Sequence, residues 1–239
     1  MVYQYDIEFV RDNGRGNSGR NLGLILEEYP VIPSAKRDIE QIDIPGRDGE
    51  LVRPGNLNNI EIKTVLTTLI KPKDQLEERD LYRRIREWLH GHGWLKISDN
   101  QEARYRVLAI QITNPSRITP LYGKIEVTFL CEPYEYAENG FLEYNNLTYN
   151  GYDMCKPIYK VSGGIGHITI NGVTIDINAN YPITIDTARQ LTYKTADTEI
   201  VNNAITGDYE DIWLDNGPVI ITPSGGITVI TEPRWGWIL

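Results

Sequence analysis

The residues of this chain whose types could do chemistry fall into a few short stretches. The densest is "GDYEDIWLDNG" (207–217), with Asp208, Glu210, Asp211 and Asp215. Glycoside hydrolysis needs only two carboxyl groups, one as acid and one as base or nucleophile. Spacing along a loop does not place two carboxylates across a cleft, and acidic loops are ordinarily solvated. His90 and His92 stand two apart at the end of an expected helix, so they do not share a helix face. His167 opens an expected strand and has no sequence partner. A zinc or catalytic histidine needs a further ligand or an orienting group, and none is evident. "DIPGRDGEL" (43–51) contains "GRDG", but it lacks the Gly-Lys-Ser/Thr ending of a phosphate loop and no helix follows it. The dinucleotide reading fails on the same ground. "GGIG" (163–166) reads as a loop. No stretch calls for a metal or a cofactor, and the chain is read as a non-enzyme.

Carbohydrate stacking is a second chemistry to weigh. Trp213, Trp235 and Trp237 could offer faces to a sugar, and Trp235 and Trp237 share a face if "RWGWIL" is a strand. Core packing is the competing reading for all three. Tyrosine dominates the aromatics, with 15 Tyr against 5 Trp and 3 Phe. A ring that is apolar on its body and wet at its tip suits sheet rims and subunit contacts.

These residues ride on strand patterns. In the first half, 3–10, 21–29, 38–45, 59–70, 93–98, 104–112 and 123–130 alternate or carry β-branched residues. In 43–51, Asp48-Gly49 marks a turn or contact loop, and Pro45 ends the preceding strand. One helix interrupts the series within 72–93. Asp74 is its expected N-cap, with Glu77 completing a capping box. Leu81, Ile85, Trp88 and Leu89 form one apolar stripe, and Gly91 and Gly93 stop the helix. Arg83, Arg84 and Arg86 lie off that stripe. They are either a solvated face paired with Asp80 and Glu87, or a subunit contact. The second half reads as all β: 156–162, 167–177, 181–187, 190–194, 218–223 and 226–231. Asn171-Gly172, between two β-branched runs, signals a two-residue hairpin turn. Short strands at this spacing suggest a sandwich or jelly roll.

The 239 residues suffice for one large β domain or two ordinary ones. Residues 1–133 carry 19 Lys+Arg against 20 Asp+Glu, net −1; residues 134–239 carry 5 against 13, net −8. That shift suggests a boundary near 131–133, and hence domains 1–133 and 134–239. An acidic chain binds nucleic acid and anionic membranes poorly, because phosphate contacts need Lys and Arg. No run approaches the roughly 20 apolar residues that span a bilayer. Residues 1–6 lack a basic and an apolar signal region, so no signal peptide is expected. Cys131 and Cys155 are the only cysteines and are expected to be free, buried thiols.

The order of several stretches adds to this reading. "IPGRDGEL" comes early, a capped helix follows, and "IEVTFLCEPYEY" closes the first half. Then come "ITINGVTIDI", "YPITIDTARQLTY" and "ITGDYEDIWLDNGPVIITPSGGITVITEPRWGWIL". Over nearly the whole chain this resembles the distal tail protein family of long, flexible-tailed bacteriophages (siphophages).

The resemblance implies a mainly β fold. A ring-forming β-barrel or sandwich domain with one helix would be followed by a galectin-like β-sandwich. It implies a structural hub: a homohexameric ring joining the tail tube protein to the tail-tip proteins, whether tail-associated lysin or fibre. The outer domain would hold receptor-binding or baseplate proteins. DNA would pass through the lumen without specific binding, and no membrane insertion is expected. The location implied is the virion tail tip, with assembly in the host cytoplasm. In such a ring Gly46, Arg47, Asp48 and Gly49 form a hairpin tip against a neighbour, and Arg83, Arg84 and Arg86 are candidates for the other side of the contact. The alternative function is host adhesion through carbohydrate binding by the second domain.

Overall fold

The structure, a computed structural model, describes residues 5–46, 48–68, 75–98, 100–113, 116–119, 122–153 and 155–239. The chain forms two compact units. The first runs to Glu135 and also takes in Ile238–Leu239; the second is Tyr136–Trp237.

The first unit holds β1 (Ile7–Arg11), β2 (Gly16–Ser18), β3 (Leu24–Leu26), β4 (Arg37–Ile42), β5 (Leu51–Leu57) and β6 (Ile60–Thr68). Helix α1 (Gln75–Trp88) follows, then β7 (Gly93–Ile97), β8 (Asn100–Ile112), β9 (Ser116–Thr119) and β10 (Tyr122–Ala137). The strands order as β2-β1-β7-β8-β10-β6-β3, with β9 also on β10. The pairings whose register is defined are antiparallel. The sheet curls on itself. Leu26 of β3, at one end of the order, donates its N–H to the carbonyl of Tyr5, just ahead of β1, at 3.4 Å.

Periodicity explains which face is buried. In β6, Ile60, Ile62, Thr64, Leu66 and Thr68 point inward and alternate with exposed or half-buried residues. Ile60, Ile62 and Leu66 meet Ile125, Val127 and Phe129 of β10 and Phe9 of β1 in one apolar core. The Phe9 and Phe129 rings lie 6.3 Å apart. The helix adds the expected stripe: Leu81, Ile85, Trp88 and Leu89 are all buried in that core. The Trp88 indole N–H donates to the Phe9 carbonyl at 3.2 Å, which fixes the helix on β1. The expected N-cap, Asp74, lies outside the described residues.

Two expectations need correction here. The strand read over 21–29 is short, because a 3-10 turn takes Arg20–Leu22 and leaves only Leu24–Leu26 as strand. The strand after "GRDG" runs further than the hairpin reading, resting on Leu51 and Val52, implied. Arg53-Pro54-Gly55 breaks the alternation that marks a strand, yet β5 runs through it.

The second unit holds β11 (Tyr149–Asn150), β12 (Ile158–Ser162), β13 (Gly166–Ile170), β14 (Val173–Ile177), β15 (Ile183–Asp186) and β16 (Leu191–Lys194). It continues with β17 (Ile205–Thr206), β18 (Gly217–Pro218), β19 (Ile221–Pro223), β20 (Thr228–Glu232) and β21 (Gly236–Ile238), the last ending in the first unit. Two four-stranded antiparallel sheets result, β16-β15-β12-β20 and β17-β14-β13-β19. Tyr159, Val161, Ile183 and Ile185 from one share a core with Ile168, Ile170, Ile175 and Ile177 from the other. One core between two sheets is the arrangement of a β-sandwich. The predicted hairpin turn forms at Asn171 (φ 48°) and Gly172 (φ 90°).

The family-like motifs of this half are structural. The Tyr159 hydroxyl donates to the Ile212 carbonyl at 2.8 Å, next to "YED". The Tyr209 hydroxyl sits 3.0 Å from Thr192 Oγ1, and Asn202 Oδ1 accepts from the Thr192 N–H at 2.8 Å. Ile212 and Leu214 are fully buried.

Candidate functional site

In the first unit, β4 and β5 form a two-stranded sheet of their own, joined to no other strand among the described residues. Its register pairs Ile42 with Leu51, Gln41 with Val52 and Glu40 with Arg53, with a bulge nearer its base. Nearly every residue of both strands is exposed. Polar contacts brace the base: an Arg37 guanidinium donates to the Gly55 carbonyl at 2.9 Å, and the Asn58 amide to Asp38 at 2.8 Å. The Glu40–Arg53 pair at 4.0 Å is solvated on both sides and adds little.

The tip spans residues 43–50, so Asp48-Gly49 sits inside a wide loop and not in a two-residue turn. Gly46 (φ 85°) and Gly49 (φ 80°) take left-handed backbone. Asp48 is exposed; Arg47 lies outside the described residues. The ribbon also carries apolar side chains into solvent. Ile39 is 60% exposed, Val52 53% and Leu51 42%, with Ile42 and Ile44 close behind.

The helix arginines separate into two sets. Arg83 and Arg84 both reach Asp80, at 3.7 and 3.2 Å. Arg83 and Arg86 share a cleft with Arg79, Arg11 and Arg15, whereas Arg84 is not part of its lining. Arg79, Arg83 and Arg86 stand at i, i+4 and i+7, one helix face. That spacing was legible in the sequence; the addition of Arg11 and Arg15 from β1 and its turn was not.

In the second unit, Trp235 is buried, with its ring 5.2 Å from Tyr152 in a stacked arrangement and 5.1 Å from Tyr144. Trp237, 40% exposed, meets Tyr152 edge-on at 5.0 Å. Trp213 is half-buried. The Lys156 ammonium lies 4.3 Å from its ring centre and its indole N–H donates to the Thr187 carbonyl at 3.4 Å. Trp235 and Trp237 thus meet through one tyrosine, and Trp235 has two aromatic neighbours from this unit.

Asp208, Glu210, Asp211 and Asp215 are exposed, and the Gln190 amide donates to Glu210 at 3.1 Å. His92 pairs with Asp12 at 3.1 Å. Among the described residues no group of three or more His, Cys, Asp and Glu could hold a metal ion. Both thiols are free and buried. Burial pushes Cys131 up to about 12 and Cys155 to about 11, so neither is a thiolate nucleophile near neutrality. Among the described residues no helix is long and apolar enough to cross a membrane.

The curled sheet and its hairpin arm have a counterpart among known proteins. Residues 23–131 match the family model of the phage tail protein RIFT-related domain. The match is to a phage tail domain over somewhat less than half of the chain. It runs from β3 into β10, hence across the hairpin arm and the helix. The fold of the whole chain is like that of SPP1 Dit, described as a hub adsorption apparatus protein of phages infecting Gram-positive hosts. That match has a TM-score of 0.62 at 10% identity and covers 95% of this chain and 97% of that one. A chain of the phage P2 baseplate, in its activated conformation with Ca, matches with a TM-score of 0.53 at 10% identity, covering 97% and 98%. At that identity the likeness is one of fold. No curated protein matches the sequence. These matches support the resemblance to siphophage distal tail proteins read from motif order, and the mainly β, one-helix fold agrees with it.

Proposed function

We propose that this chain is the structural hub of a siphophage tail tip. Six copies close into a ring through the first unit, and the ring joins the tail tube to the tail-tip and baseplate proteins. The second unit, read as a galectin-like sandwich, holds receptor-binding or baseplate proteins. The role is architectural and not catalytic. The virion tail tip is its place of action, after assembly in the host cytoplasm.

One observation carries this reading. The β4–β5 ribbon stands apart from the main sheet and exposes Ile39, Ile42, Ile44, Leu51 and Val52. An isolated two-stranded hairpin is marginally stable in water, and apolar side chains on it gain from cover. A neighbouring copy supplies that cover in a ring. The net −8 of residues 134–239 disfavours close packing of copies through that half, which leaves the near-neutral first half to make the contact. The tail domain family of residues 23–131 and the hub-like fold support the same role.

Light scattering and negative-stain imaging of the purified full chain test it. Six-membered rings are expected at micromolar protein. Replacing residues 43–50 by a two-residue Asn-Gly turn, or Ile39 and Val52 by Ser, is expected to yield monomers with an unchanged far-UV spectrum. A wild-type chain that remains monomeric at all accessible concentrations refutes the ring.

A further inference from the structure

The arginine cleft of the first unit has a cleft volume of about 770 Å³. Arg11, Arg15, Arg79, Arg83 and Arg86 line it, and Glu87 is the one carboxylate among its described lining residues. Among the described residues Arg11, Arg15, Arg79 and Arg86 make no ion pair, and Arg83 has only the exposed contact to Asp80. The buried Nε of Arg11 has no hydrogen-bond partner. Like charges gathered in a concave site repel one another, and a guanidinium is built to take a carboxylate in two parallel bonds. The cleft therefore lacks its counter-charge within its own lining.

A matching set of carboxylates lies elsewhere on the same unit. Asp43, Asp48 and Glu50 are exposed at the hairpin tip, and among the described residues none of them is in an ion pair. None lines the cleft. In sequence the tip carries these three carboxylates against one arginine, Arg47. Two complementary patches, each unpaired on its own subunit, are what a head-to-tail contact between identical copies requires.

We infer that the arginine cleft of one copy receives the acidic β4–β5 tip of the next. The inference rests on the ring reading and names the contact that closes it. It assigns Arg79, Arg86, Arg11 and Arg15 to one side and Asp43, Asp48 and Glu50 to the other, and it leaves Arg84 out. DNA is the less fitting anion: a compact cleft offers no long basic stripe along which a duplex backbone could run.

Charge swapping in the full chain tests this. Arg79→Glu with Arg86→Glu reverses the cleft, and Asp48→Lys with Glu50→Lys reverses the tip. Each double variant is expected to need roughly tenfold more protein for half-assembly than wild type. The quadruple variant, with both patches reversed, is expected to assemble within roughly threefold of wild type, and that rescue also shows the substituted chains fold. Assembly of either double variant at wild-type concentration overturns the inference, and so does failure of the quadruple variant to recover. Cleft variants that assemble normally but lose binding to a duplex DNA fragment assign the cleft to phosphate and overturn it as well. A monomeric wild type overturns the ring and this contact together, whereas an assembled wild type indifferent to the swaps overturns this contact alone.

Discussion

Arg234 holds the buried carboxylate of Asp186 with two nitrogens, Nη1 to Oδ1 at 3.1 Å and Nη2 to Oδ2 at 3.3 Å. Asp186 is 1% exposed on its β15 strand, and the Arg189 N–H adds a bond to it at 3.2 Å. Arg234 sits at φ 56°, just before the "WGW" stretch, so the pair fixes where Trp235 enters the core.

Removing the guanidinium takes both short bonds from a buried carboxylate and leaves it only the more exposed Arg189, at 3.7 Å. Arg234→Met should lower stability of the second unit by roughly 3–5 kcal/mol. Denaturant unfolding followed by tryptophan fluorescence measures it. Exposed Arg53→Met, whose partner is 4.0 Å away in solvent, should cost under about 1 kcal/mol.

Gly163 adopts φ 112°, and a Cβ there would lie 2.3 Å from the Gly226 carbonyl oxygen. Gly163→Ala therefore meets backbone, which does not yield as a side-chain end does. A loss of about 2 kcal/mol or more is expected, against about 1 for Gly172→Ala, whose Cβ enters open space. Melting temperatures of the two variants, compared side by side, decide the order.

Cys131 and Cys155 hold their protons more tightly folded than unfolded, at about 12 and about 11 against an ordinary 9.0. Desolvation is the main cause for both, and it also raises the buried Tyr159 phenol. For such groups the stabilising difference is present below the unfolded pKa and is lost as pH climbs toward the folded one. Stability should therefore decline as pH rises from about 9 to about 11 and beyond. Chemical denaturation across that range should show a shallower decline in Cys131→Ser with Cys155→Ser than in wild type. The thiols should also alkylate slowly until the chain is unfolded, and reductant should not move the melting temperature.

Ile85 is 1% exposed beneath the helix. Ile85→Ala should cost about 2–4 kcal/mol by opening a cavity between helix and sheet. Arg84→Ala, on the solvent side, should fall within about 0.5 kcal/mol of wild type. Circular dichroism melts separate the two.

Limited proteolysis should leave two stable fragments with the cut near residues 136–157, where the chain passes from the first unit into loop-rich structure. Mass spectrometry of the products reads the boundary, and cuts spread evenly over both units would speak against it.

Local patterns by themselves determined much of this protein. Alternation in 59–70 gave β6 and its buried face, Asn171-Gly172 gave a tight hairpin, and Leu81, Ile85, Trp88 and Leu89 gave the buried side of the helix. Each is written within a dozen residues, because strand and helix periods repeat over that distance. Motif order gave the family. Tertiary structure alone decided the rest. It set β4–β5 apart from the main sheet as an exposed ribbon. It drew Arg11 and Arg15 beside Arg79, Arg83 and Arg86, and it buried Trp235 while leaving Trp237 partly in solvent. It joined Asp186 to an arginine 48 residues away. Such contacts depend on how the sheets curl and which edges meet, and no short window of sequence carries the position of its distant partner.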